Sequence, residues 1–165
     1  MAGAIILSAS PAQARQLTVT DPAGDTSTPG LDITSAQVRN RDHAIITTVS
    51  FVRNVRGNLI VALTARNGSG LRVVYERRPA GTDRTFVLPG SFARTAGSFC
   101  QGASGEWNAR SRSVTLRLPS RCLDGGDYGA VRAAVLTENR GGGDVDFAPE
   151  KDNGDIGSTA WIPRG

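Results

Sequence analysis

Histidine is nearly absent from this chain: of 165 residues only His43 is one. Lysine is as scarce, with Lys151 alone against eighteen arginines, and there are only four glutamates, two cysteines and 5% aromatics. Each scarcity excludes a chemistry. Nucleophilic hydrolysis of the Ser-His-Asp kind needs a histidine to take the serine proton and a carboxylate to orient it. The one histidine sits in Asn40-Arg41-Asp42-His43, where an adjacent Asp42 points a different way on a strand or tight turn, and no Gly-x-Ser-x-Gly elbow is present. Zinc needs three or four nitrogen or sulfur donors, which one histidine and two cysteines do not supply. With few aromatics the core must be Val, Leu, Ile and Ala. With none interleaved among the arginines, base stacking lacks its platforms, and the net charge of +4 is too small to point to nucleic acid. Beyond the N-terminus no apolar run approaches the length needed to cross a membrane.

What is present describes a globular protein, with 39% hydrophobic and 21% charged residues. The length suits one domain, expected over residues 15–165, and a monomer. The opening "MAGAIILSASPAQA" runs from the apolar Ala4–Leu7 to Ala12-Gln13-Ala14, an A-x-A cleavage signature. Residues 1–14 read as the back half of a secretory signal peptide whose charged start lies upstream; the rival is a cytosolic protein with an apolar N-terminus. Cys100 and Cys122 agree with export. In an oxidising compartment they are expected to form a disulfide, closing a loop of about twenty residues worth roughly 3 kcal/mol. The expected location is extracellular. The predominance of Arg over Lys is the usual imprint of a GC-rich genome.

Period-2 alternation recurs along the chain and sustained helical periodicity does not. Strands are predicted at 17–20, 32–40, 44–52, 58–65, 71–77, 84–88, 105–109, 113–118 and 130–136. The last of these, "AVRAAVL", is also compatible with a helix. Asn67-Gly68-Ser69-Gly70 is the strongest hairpin signal. About eight or nine short strands predict an all-β, antiparallel β-sandwich, jelly-roll-like and with little or no helix; a closed barrel is the alternative. The Gly-rich, acidic tail from Gly141 is expected to wrap the sandwich, pinned by Phe147, Trp161 and Ile162.

Three stretches carry a resemblance: "DPAGD…LDITSAQVRNRDHAIITTVSF", "CLDGGDYGAVRAAVL" and "DFAPEKDNG…W". Together they resemble small secreted actinobacterial β-sandwich proteins, which implies a fold and export but no activity. More distantly, the Asp-x-x-Gly-Asp loop followed by Asp-Ile and alternating strands is similar to family-9-like carbohydrate-binding and DOMON-like modules. That likeness implies carbohydrate or haem binding. The DOMON-type haem ligands, Met and His, have no match, since Met1 lies in the leader and His43 in a turn.

Three candidate sites follow from the residues. Acids concentrate at the two ends of the mature chain: Asp21, Asp25 and Asp32 at the start, and Asp144, Asp146, Glu150, Asp152 and Asp155 near the finish. If the termini meet, as domain termini often do, Asp21, Asp25, Asp32, Asp144, Asp146 and Asp152 are candidate ligands of one calcium ion. Calcium takes six to eight oxygens from carboxylates and loop carbonyls. The competing account makes Asp21-Pro22 and Gly24-Asp25 a turn and Asp32 a strand cap. Glu106-Trp107 pairs an acid with an aromatic, as a sugar-binding surface does, although Trp107 lies between the cysteines and packing near their bridge is the favoured reading. Residues 33 to 121 carry fourteen Arg against four acids, a local net of +10, which suits an extracellular polyanion or a solvated polar face.

The expected function is a secreted, non-catalytic binding or structural domain for carbohydrate or cell-wall polymer, with a structural calcium site. The alternatives are a glycosidase-type enzyme running on two carboxylates, or an interaction or inhibitor protein.

Overall fold

The computed structural model describes residues 15–78, 82–95 and 97–165; the leader stretch 1–14 lies outside them. The described residues form eleven strands: β1 Gln16–Thr20, β2 Ile33–Asn40, β3 Ala44–Phe51, β4 Asn58–Ala65, β5 Gly70–Glu76, β6 Arg84–Pro89, β7 Ser104–Asn108, β8 Ser113–Pro119, β9 Ala130–Glu138, β10 Asp144–Ala148 and β11 Ile162–Pro163. Two short 3-10 turns, Ser120–Cys122 and Asp124–Gly126, are the only helical pieces among them. The Ala-rich "AVRAAVL" is strand β9. It pairs with β4 along nearly its whole length, and that ladder overrides the helical preference of its alanines.

The strands build two separate antiparallel sheets, so the domain is a sandwich and not a closed barrel. One sheet has the order β1-β2-β3-β8-β7. The other runs β10-β9-β4-β5-β6, with β11 pairing the start of β9. The chain passes between sheets at β3→β4, β6→β7 and β8→β9; the first and last of these tie the inner strands together and the second joins two edge strands. Alternation decides what faces inward. From β3, Ile45, Thr47, Val49 and Phe51 point in; Val114, Leu116 and Leu118 of β8 meet them; Leu59, Val61 and Leu63 of β4 close the core from the other side. Each such aliphatic side chain contributes about 1.5–3 kcal/mol.

The second sheet breaks the inside-out alternation. Phe86, Val74, Ile60, Leu136 and Phe147 lie in register across β6, β5, β4, β9 and β10 on its outer face. They pack into a second, smaller apolar cluster. That row explains why β4 reads as a nearly continuous hydrophobic run. At the β4–β5 hairpin Gly68 adopts φ +97°, a left-handed backbone that favours glycine, and Asn67 Oδ1 accepts from Ser69 N at 3.1 Å.

The tail does wrap the sandwich. Ile162 is fully buried and Phe147 half-buried, whereas Trp161 stays at the surface beside Arg66 and Arg132. The tail's polar anchor is Asn40, which is fully buried. Its Nδ2 donates to Ile162 O at 3.0 Å and its Oδ1 accepts from the Tyr128 hydroxyl at 2.8 Å. A Cys100–Cys122 disulfide, with Cα atoms 5.4 Å apart, ties the segment before β7 to the turn after β8.

Candidate metal centre

The loop 21–32 is docked onto β10 by its own backbone and hydroxyls. Ser27 N donates to Val145 O at 2.9 Å, and Ser27 Oγ and Thr28 Oγ1 both donate to Asp144 O. Gly30 lies so close to Val145 that a Cβ there would sit 2.6 Å from Val145 Cγ2. Thr137 Oγ1 donates to Leu31 O at 2.7 Å and holds the loop's far end against β9. The two acidic ends of the chain are therefore held side by side.

Asp21, Asp25 and Asp146 each offer a carboxylate oxygen, and the three oxygens lie within 4.8 Å of one another. Oxygens bound to one calcium ion at about 2.3–2.6 Å can be at most about 5 Å apart, so the span is that of one coordination sphere. Asp146 is buried and held rigidly, its Oδ2 accepting from Ile33 N at 2.6 Å and its Oδ1 from Phe147 N at 2.8 Å. Lone pairs remain on both oxygens for a cation. Asp32 stands beside them, 5% exposed. Its Oδ2 accepts from Gly24 N at 3.0 Å, while its Oδ1 is buried without a partner, as is Asp21 Oδ2. A buried carboxylate oxygen left unpaired is costly.

The electrostatics agree. Burial, then the charges of Asp146, Asp25, Glu150 and Asp32, push Asp21 up to about 7. Burial pushes Asp146 up to about 6 against the pull of its two backbone donors, with Asp25 and Asp32 adding to the rise. Among the described residues the only ion pair is Glu76–Arg78, so no arginine neutralises this cluster.

Not every candidate ligand arrives. Asp144 and Asp146 are two residues apart, a spacing that puts side chains on one face of a regular strand. A β-bulge between them changes the register: Asp144 pairs Glu138 and Asp146 pairs Thr137, whose neighbouring side chains face opposite ways. Asp146 is thereby turned inward while Asp144 stays exposed and contributes only its carbonyl to the loop contacts. Asp152 is exposed in the turn between Glu150 and Ile156 and is not part of the group. Glu150 is the neighbour that a count of aspartates passes over; its charge bears on Asp21.

On edge strand β7, Glu106 is exposed and Trp107 faces the core, so acid and aromatic do not form one surface. Trp107 stacks on Phe51 with centroids 5.5 Å apart, and the Arg77 guanidinium lies 3.6 Å over its ring. His43 is exposed in the β2–β3 turn, as expected.

No family model matches the chain, and no curated protein or solved structure matches it either. No helix of the described residues is long and apolar enough to cross a membrane.

Proposed function

We propose that the chain is a secreted, non-catalytic binding domain for an extracellular polymer, a β-sandwich braced by one calcium ion at Asp21, Asp25, Asp32 and Asp146. The observation that carries the calcium reading is the convergence of three carboxylate oxygens within 4.8 Å beside the unpaired, buried Asp32 Oδ1. Calcium suits this donor set better than magnesium. Its ligands come from an irregular loop and a bulged strand, and magnesium demands a near-ideal octahedron. The ion would join the N-terminal loop to β10, so its work is to hold the fold.

The non-catalytic reading is supported by the setting of the acids. Neither the two adjoining clefts around His43 nor the one bounded by Phe92 and Glu150 is lined by Asp21, Asp25, Asp32 or Asp146. A glycosidase must seat a sugar between its carboxyls, in retaining enzymes about 5–5.5 Å apart, at the floor of a groove. Export is supported by the disulfide and by the leader-like start.

Thermal melts with calcium, with magnesium and with excess chelator test the proposal. Calcium at 100 times its Kd should add about 2.7 kcal/mol, which raises the midpoint of a domain this size by several degrees. Superimposable melts in all three conditions would sink it.

A further inference from the structure

The opposite end of β2 carries the opposite charge. Across the outer face of the β1-β2-β3-β8-β7 sheet, Gln16, Arg39, Ile46, Arg117 and Ser104 stand in one register row. Strands about 4.8 Å apart put Arg39 and Arg117 roughly 10 Å from each other, with the apolar Ile46 between them. Arg15 and Arg41 join them around a cleft of about 670 Å³ that His43 also lines. A second cleft of about 390 Å³ shares Asp42, His43 and Arg117 with it and adds Arg121, so the two adjoin as one trough.

The guanidinium groups of Arg15, Arg39, Arg41 and Arg117 make no ion pair and no hydrogen bond with the described residues. Two carboxylate-bearing residues line the trough, Asp42 and the terminal Gly165 that packs against the Arg15 side chain, and neither forms an ion pair with any of them. Arg164, at its far edge, is already committed to the carbonyls of Gly126 and Asp42. Four unpaired guanidinium groups around one concavity repel each other, and an anionic ligand relieves that repulsion with charge-assisted, bidentate hydrogen bonds.

We infer that this trough binds an acidic polysaccharide, its carboxylate or sulfate groups taken by the Arg39–Arg117 and Arg15–Arg41 pairs and a sugar ring resting on Ile46. The inference rests on the reading of the chain as a polymer-binding domain and names the ligand class and the place. The lining favours a glycan over nucleic acid. Among the described residues no Phe, Tyr or Trp lines the trough to stack a base, and the one imidazole there, His43, is not a row of stacking platforms. A row of cations about two strands apart suits a chain that presents an anionic group at regular intervals. The exposed aromatic residues among those described, Phe92, Phe99 and Trp161, do not line the trough.

The test is binding of the full chain to polygalacturonate, dextran sulfate, neutral dextran and a single-stranded oligonucleotide, by titration calorimetry at fixed salt. Arg39→Gln/Arg117→Gln is compared with Arg53→Gln/Arg110→Gln, which removes the same charge from exposed sites elsewhere; melts confirm that both variants fold. Binding to polygalacturonate or dextran sulfate is expected, and whichever binds more tightly identifies the anionic group. The trough variant should weaken binding at least tenfold and the control less than twofold. Equal losses in the two variants would overturn the site in favour of diffuse charge. Tighter binding of the oligonucleotide than of either acidic glycan would overturn the ligand class. Binding to neutral dextran that the trough variant leaves unchanged would overturn this inference and spare the polymer-binding reading. Binding to none of these polymers would overturn both.

Discussion

The backbone N–H of Ile33 donates to Asp146 Oδ2 at 2.6 Å across 113 residues of chain. This bond joins the first residue of β2, in one sheet, to β10, on the edge of the other. It aims a carboxylate at the loop that carries Asp21 and Asp25. Arg39 and Asn40 lie at the other end of the same strand, so β2 spans the distance between an acidic pole and a basic trough. Eight residues at about 3.3 Å each make that roughly 25 Å.

Neutralising one member of the acidic cluster should have opposite effects depending on its bonds. Asp21→Asn removes a charge that its neighbours repel, from a side chain with a buried, unpartnered oxygen. The metal-free protein should melt a few degrees higher and respond less to calcium. Asp146→Asn turns an amide NH2 toward one of two backbone donors, and leaving such a group unsatisfied costs about 1–3 kcal/mol. That variant should melt lower in chelator and lose the calcium response. Paired melts in chelator and in calcium check both; a drop of equal size in the two variants would contradict the assignment of roles.

Stability of the metal-free protein should fall as pH rises from about 4 to about 7. Asp21, raised to about 7, and Asp146, raised to about 6, hold protons in the folded state that the unfolded chain releases near 3.8. The folded state thus binds more protons across this window, and its advantage is complete below the unfolded value and gone above the folded ones. Calcium needs the deprotonated carboxylates, so its stabilisation should grow over the same range. Melts at pH 5 and pH 8, each with chelator and with calcium, read both trends. A metal-free midpoint that climbs from pH 5 to pH 8 would count against the buried cluster.

Removing the Cys100–Cys122 bridge should cost about 3 kcal/mol, the chain-entropy value for a loop of this length. The Cys100→Ser/Cys122→Ser double variant, unfolded in urea beside the parent, gives the difference. Intact mass before and after alkylation without reductant should show no free thiol in the parent.

Much of the architecture was legible along the chain because strand alternation is a local property. The inward set Ile45, Thr47, Val49 and Phe51 follows from period 2 alone, and the Asn67-Gly68 turn announces its hairpin. The disulfide also followed from there being two cysteines and no competing partner for them. At the acidic site, Asp21, Asp25 and Asp32 stand out by their shared loop, and the convergence of the termini brings in Asp144, Asp146 and Asp152 as a group without choosing among them.

The chain's own order of residues determined an all-β protein with a paired cysteine bridge, because backbone pattern and redox chemistry act over short sequence distances or between unique partners. Only the tertiary structure decided which acids meet and which arginines are left without an ion pair among the described residues. A one-residue bulge turns Asp146 inward and leaves Asp144 outside. The pairing of β2, β3 and β8 sets Arg39 and Arg117, far apart in sequence, in one row across a cleft. Register between distant strands is set by the packing of the whole core, since a shift of one residue would move every side chain of the strand to the other face.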